Sequence, residues 1–255
     1  MNHKIIMLVT DGNSSKIMFN ALNDSFNIQK IIIEEDVSKK TLLKNRVKRL
    51  GLLKVIGQVI FILFNKILSK LSKKQISHLK EKYLLDDSYF QKDLVKNVKS
   101  VNSAETKEII ESINPDIIIV NGTRIISEEI LLSTKATFLN THAGVTPKYR
   151  GVHGGYWALT QKDYENCGVT VHLVDKGIDT GGILYQDTIV IDKNDNFNTY
   201  PYHQIAKAIP LMKSAIEDVI NDSIKIVKRD DLKSQIWSHP SIYEYIKYRV
   251  LLGVK

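Results

Sequence analysis

The strongest constraint in this chain is a set of short, β-branched runs with no polar residue to mark an outward face. Ile5-Ile6-Met7-Leu8-Val9 and Ile117-Ile118-Ile119-Val120 are apolar throughout, and Ile28 to Ile33 ends in three isoleucines. Strands buried on both faces read this way, and they belong to parallel sheets covered by helices. Helix signals lie between the runs. Asp11-Gly12-Asn13-Ser14-Ser15 is a turn with capping residues ahead of a helix over Lys16 to Asn23. Ser103 caps a helix through Ile113, and Asn114-Pro115-Asp116 turns into the isoleucine run. Further strands are predicted at Val98 to Val101 and Ala136 to Asn140, with a short helix over Ser127 to Ser133. This rhythm predicts an α/β fold, a Rossmann-like and mostly parallel sheet flanked by helices.

The second half has a different texture. Val145 to Gly155 is a glycine-rich loop, a short helix continues over Tyr156 to Gln161, Gly168 to Val174 and Ile183 to Ile191 read as strands, and Tyr202 to Ile220 reads as a long amphipathic helix. Trp237, Tyr243, Tyr245 and Tyr248 cluster after Ser223, which suits a final helix packed on the core or on a partner subunit. With 255 residues, 43% of them hydrophobic, the chain supports one good core. The expected division is a domain over residues 1–222, interrupted by an insertion at about 37–97, and an extension over 223–255. The single cysteine, Cys167, excludes a disulfide framework and a thiolate metal cluster, and reads as a packing residue in a reducing cytosol. Met1-Asn2-His3-Lys4 runs into an apolar stretch shorter than a signal-peptide core, so Ile5 to Val9 is taken as a strand and the expected location is cytoplasmic.

Charge is concentrated in the insertion. Lys39 to Lys82 holds thirteen Lys or Arg against one acid, Glu81, for +12, and the remainder carries 8 − 12 = −4. Within it lie eleven uncharged residues, Val55 to Asn65, too few for a bilayer, which needs about 20. An inserted helical hairpin with its apolar face on the domain and its lysines in water is the plainer expectation. A peripheral contact of residues 46–74 with an anionic inner-membrane surface, or a positive lid over a phosphorylated substrate, is the sharper one. A nucleic-acid partner is not expected, because a pure nucleic-acid binder would spread basic and aromatic residues over one face.

Three pieces carry chemistry. Asn140-Thr141-His142 closes a predicted strand, and residues two apart on a strand share a face, so both polar side chains face one pocket at the strand's carboxyl end. Asp175-Lys176-Gly177-Ile178-Asp179-Thr180-Gly181-Gly182 is a turn-rich loop with a carboxylate able to reach an imidazole. Pro147-Lys148-Tyr149-Arg150-Gly151 is a loop able to orient an anionic or polar substrate. A zinc hydrolase built from His142, His153, His172 and Asp179 is a competing enzyme reading; a binding protein without catalysis is another.

The order Pro115-to-Val120, Arg124-Ile125-Ile126-Ser127, Asn140-Thr141-His142, Pro147-to-Gly151, Val174-to-Gly181 resembles the folate-dependent formyltransferase family, most strongly from Pro115 to Gln186. The resemblance implies a catalytic trio of Asn140, His142 and Asp179. It also implies 10-formyltetrahydrofolate as co-substrate, gripped by Arg124, Ile125 and Ile126 and by Val174, Asp175 and Gly177, with no metal. Gly12, Asn13 and Ser14 look like the family's phosphate loop, and with Pro147, Tyr149 and Arg150 they are the expected acceptor contacts. The long insertion sets the chain apart from the glycinamide ribonucleotide enzyme, and the few residues after Ser223 set it apart from the methionyl-tRNA enzyme. The resemblance thus points to a small amine, a nucleotide-linked amino sugar first and glycinamide ribonucleotide second. A homodimer is left open.

Overall fold

The computed structural model describes residues 3–255, so Met1 and Asn2 of the amino-terminal reading lie outside it. The strands in chain order are β1 (Ile5–Val9), β2 (Ile28–Glu34), β3 (Val95–Val98), β4 (Ile117–Asn121), β5 (Thr137–His142), β6 (Arg150–Gly151), β7 (Gly168–Leu173), β8 (Ile183–Thr188) and β9 (Ile236–Trp237). The helices are α1 (Asn13–Asn23), α2 (Lys39–Leu50), α3 (Leu52–Leu71), α4 (Lys73–Lys82), α5 (Ala104–Ile113), α6 (Glu128–Leu132), α7 (Gly154–Thr160), α8 (Tyr200–Ile220) and α9 (Ile242–Leu252). One sheet has the order β3-β2-β1-β4-β5-β7-β8, and β6 pairs with β9 apart from it. From β3 to β5 every pairing is parallel; β7 and β8 add antiparallel. The strand order reverses direction between β1 and β4, which opens a crevice at the strands' carboxyl ends.

The apolar runs are buried on both faces, as their composition requires. Met7, Val9, Ile31, Ile33 and Ile119 pack against Phe19 and Leu22 of α1 and Ala208, Met212 and Ile216 of α8. Ile6, Leu8, Ile32, Ile118 and Val120 pack on the other side with Ile110 of α5 and Ile130 of α6. Each such side chain contributes roughly 1.5–3 kcal/mol relative to exposure. The predicted strand at Val98 to Val101 lies three residues earlier, at Val95–Val98. It is an edge strand whose Lys96 and Asn97 face water, and that conceals the apolar pattern.

The insertion departs furthest from expectation. It forms three helices, and α3 is one continuous helix of 20 residues, long and apolar enough by length and composition to cross a bilayer. The uncharged core counted from sequence understated it because Lys54, Lys66 and Lys70 lie within the same helix. Nor does its apolar face pack on the domain: Val55 and Phe61 are buried, but Leu52, Leu53, Ile56, Ile60, Leu63, Phe64, Ile67 and Leu71 are exposed. What holds α3 is a narrow seam. Phe61 meets Phe197 edge-on at 4.9 Å and Tyr245 of α9 at 4.9 Å, Gln58 Nε2 donates to the His239 carbonyl at 2.7 Å, and Lys54 pairs with Glu244. Tyr245 is buried as the tail's aromatic cluster suggested, whereas Tyr243 is exposed.

Candidate active site

β5 delivers Asn140 and His142 to the crevice side by side, and each is fixed by a partner from a different segment. His172 lies opposite Asn140 in the β5–β7 pairing. Its Nδ1 donates to the Leu173 carbonyl at 2.7 Å, which leaves Nε2 to accept from Asn140 Nδ2 at 3.1 Å. His172, named from the sequence as a possible zinc ligand, is buried and orients the amide beside it. His142 Nε2 donates to the Tyr149 carbonyl at 2.6 Å, so Nδ1 is the nitrogen turned to Asp179, 3.4 Å from Oδ2.

Asp179 sits in the left-handed region at φ +49°, and its Oδ2 accepts the Gly151 N–H at 2.9 Å. Two close approaches leave room only for glycine. A Cβ on Gly144 would stand 2.4 Å from the Tyr149 carbonyl oxygen and 2.8 Å from His142 Nε2, and one on Gly181 would stand 1.7 Å from the Leu173 oxygen.

Burial pushes the His142 imidazole below its ordinary value, and Asp179 and the Tyr149 carbonyl only partly offset this. Burial also opposes ionisation of Asp179, but His172, His142 and the Gly151 N–H together outweigh it and hold the carboxyl below the usual carboxylate range. The pair thus rests as carboxylate and neutral imidazole, with Nδ1 open to take a proton beside a negative neighbour.

These groups open on a cavity of about 410 Å³. Arg124, Ile125 and Ile126 line one wall; Val174, Asp175 and Gly177 line another, in a loop braced by Thr180 Oγ1 and Gly177 N–H on Asp175 Oδ1 at 2.7 and 2.9 Å. The first wall depends on a residue that sequence reasoning missed. Glu34, at the end of β2 and buried, accepts the Arg124 N–H at 2.7 Å with one oxygen and receives Arg124 Nε and the Val101 N–H on the other. The signal was a lone carboxylate ending an apolar strand.

Several expected acceptor contacts fall elsewhere. The Tyr149 side chain is fully buried, stacks on Trp237 and donates its hydroxyl to Asp163 at 2.7 Å; only its backbone carbonyl reaches the site. Pro147 and Arg150 line a smaller neighbouring cavity of about 240 Å³, which Asp179 also borders. Gly12, Asn13 and Ser14 line neither: Gly12 precedes α1 and Ser14 Oγ donates to Asn121 Oδ1 at 3.2 Å.

In their place the insertion and the tail close the large cavity. Arg46 and Arg49 of α2 and Gln58 of α3 come from one side, and Trp237, Ser238 and His239 from the other. The tail also fastens the loop beneath: β9 pairs with β6, and Trp237 Nε1 donates to the Lys148 carbonyl at 3.0 Å. His153 and His239 share a hydrogen bond of 2.8 Å, and burial, reinforced by Arg46, pushes them down to about 3 and about 4. Among the described residues no group of three or more His, Cys, Asp or Glu is arranged to hold a metal ion. Cys167 is a packing residue, its thiol pushed up to about 12 by burial.

Residues 54–209 match the family described as formyl transferase, and the chain belongs to that family. A methionyl-tRNA formyltransferase of Caldicellulosiruptor saccharolyticus is 30% identical over 176 residues, 64% of this chain and 55% of that protein. The chain covers between 29% and 55% of the length of the curated relatives it matches. Among solved structures, a 4-N formyltransferase from Francisella tularensis superposes with a TM-score of 0.57 at 16% identity, covering 97% of this chain and 80% of that one. WlaRD, a sugar 3N-formyl transferase solved with dTDP and 5-N-formyl-THF, gives 0.55 at 22% identity, covering 93% and 70%. At these identities the structural likeness is one of fold.

Proposed function

We propose that this protein transfers a formyl group from 10-formyltetrahydrofolate to the amine of a small anionic acceptor, a nucleotide-linked amino sugar above all. The observation that carries the reading is the Asn140–His142–Asp179 cluster, opening on one cavity with both the Arg124–Ile126 and the Val174–Gly177 walls. The fit to a folate is chemical: the half-exposed Ile125, with Ile126 and Val174 on the same cavity, suits a flat heterocycle. The bound folate supplies the activated formyl group. When an amine adds to a formyl carbon, negative charge develops on oxygen, and Asn140 Nδ2 is a preoriented donor for it. His142 Nδ1 is suited to take the proton the amine loses, becoming a second donor while Asp179 compensates its charge and passes the proton toward the departing nitrogen.

Arg46 and Arg49 support an anionic acceptor, since guanidinium groups match phosphate oxygens in planar, bidentate fashion. A second reading has a specific observation behind it: the sequence relatives are methionyl-tRNA formyltransferases. One experiment separates the two. The protein is incubated with 10-formyltetrahydrofolate and, in turn, amino-sugar nucleotides, glycinamide ribonucleotide and methionyl-tRNA, and each acceptor is followed by mass for a gained formyl group. Transfer to an amino-sugar nucleotide, weakened in KM by Arg46→Ala and Arg49→Ala, is the expected result. Transfer to methionyl-tRNA alone overturns the acceptor assignment, and transfer to none despite folate binding overturns the acceptor class.

A further inference from the structure

The α2–α4 insertion exposes a stripe that the proposed chemistry does not use. Leu52, Ile56, Ile60, Leu63, Ile67 and Leu71 recur at intervals of three and four along α3, so they stand on one face, and they are 61%, 45%, 47%, 57%, 60% and 77% exposed. The stripe is about 30 Å long at 1.5 Å per residue. Phe64 extends it toward α9, which packs beside α3 through Tyr245 and itself exposes Tyr243, Ile246 and Val250. Lys66 and Lys70 flank the stripe, Lys73 and Lys74 follow it, and the segment from Lys39 to Lys82 totals +12.

From this juxtaposition we infer that α3 and α9 form a docking face for an anionic lipid bilayer, on which α3 lies flat. Charge selects the occupant. A second copy seated on the same face would bring another +12 segment against the first, which is repulsive. RNA would satisfy the lysines but leave the row of aliphatic side chains without an apolar partner, whereas a bilayer takes the row into its interfacial zone and the lysines among its headgroups. The helix does not cross the bilayer, because both its ends are fastened to one body. α2 brings Arg46 and Arg49 to the large cavity, and α4 buries Leu79 while Gln75 bonds Asp195 at 3.3 Å. Docking thus sets the arginine-bearing wall of the cavity beside the membrane. The inference does not depend on which acceptor is used.

The test is sedimentation of the full chain with phosphatidylglycerol-containing and pure phosphatidylcholine vesicles at low and high salt, beside sedimentation velocity without lipid. Two variants accompany it: Ile56→Ser/Leu63→Ser/Ile67→Ser and Lys66→Gln/Lys70→Gln/Lys74→Gln, both keeping Phe61 and the seam, with urea midpoint and tetrahydrofolate affinity as folding controls. Binding confined to anionic vesicles and weakened by salt is expected, about fivefold weaker for each lysine removed and abolished by the serine variant. Absent vesicle binding overturns the inference, as does binding that the serine variant keeps. A dimer that the serine variant dissociates, without vesicle binding, assigns the face to a second copy. Transfer RNA binding lost in the glutamine variant, again without vesicle binding, assigns the segment to RNA.

Discussion

Replacing Glu34 with Gln tests whether the Arg124–Ile126 wall is set from beneath. The carboxylate receives the Arg124 N–H, the Arg124 guanidinium and the Val101 N–H while almost wholly buried. Glutamine keeps the volume but turns one acceptor oxygen into an NH2 facing other donors, and it removes the charge that pairs with Arg124. A hydrogen bond to a charged group contributes about 1.5–3 kcal/mol, and stranding a buried donor costs about 1–3. The Arg124 side chain is 32% exposed, so water recovers part of this, leaving a loss of about 2–3 kcal/mol. Because the strained segment is the cavity wall, tetrahydrofolate affinity should fall about tenfold while kcat at saturating folate stays within about twofold. Urea unfolding gives the first quantity, and folate titration with steady-state kinetics gives the others. Glu34→Gln with unchanged folate affinity would refute the claim that this carboxylate sets the wall.

Asn140→Ala should lower kcat by about 100-fold or more with folate affinity kept, as for loss of one preoriented donor; His172→Gln, which removes the ring facing both Asn140 and Asp179 Oδ1, should lose less, and equal losses in kcat and folate affinity for either would contradict these roles. The pH profile of kcat/KM should hold level above 6.5 and fall on an acid limb below it, since His142 is held below its ordinary value. Asp179→Asn should move that limb to still lower pH, because Asp179 is the charge that raises His142; a limb above 6.5 would be inconsistent. Stability should also fall with acid: the unfolded chain protonates His153 and His239 near 6.5, whereas the folded protein resists until about 3 and about 4. These folded values are the lower ones, so stability is full well above 6.5 and declines as pH drops toward 4, by about 3 kcal/mol for the pair between 6.5 and 5. A urea midpoint unchanged between pH 7 and 5 would exclude it.

The sheet was readable wherever strands are buried on both faces, because apolar runs such as Ile117 to Val120 admit few other structures. It was unreadable at the edge, where Lys96 and Asn97 of β3 face water, and at β7, whose antiparallel entry depends on a path no local pattern encodes. In the site, the Asn140–His142 pair and the Asp179 loop stood out because polar residues at a strand's end and in a turn have local signatures. His172 did not: its partner Asn140 lies 32 residues away. Tyr149 was misread because sequence cannot tell whether a loop residue works by its side chain or its carbonyl. The insertion's composition was legible, but which of its faces the domain would cover was decided by Phe61 meeting Phe197 and Tyr245, contacts far along the chain.

The most direct test of the account is a single-turnover experiment with 13C-formyl-labelled 10-formyltetrahydrofolate and the acceptor selected by the panel, run on wild type, His142→Ala and Asp179→Asn. Label on the acceptor amine is expected with wild type, slowed transfer with Asp179→Asn and loss of transfer with His142→Ala, while tetrahydrofolate still binds to all three. Label transferred at the wild-type rate by His142→Ala would contradict it.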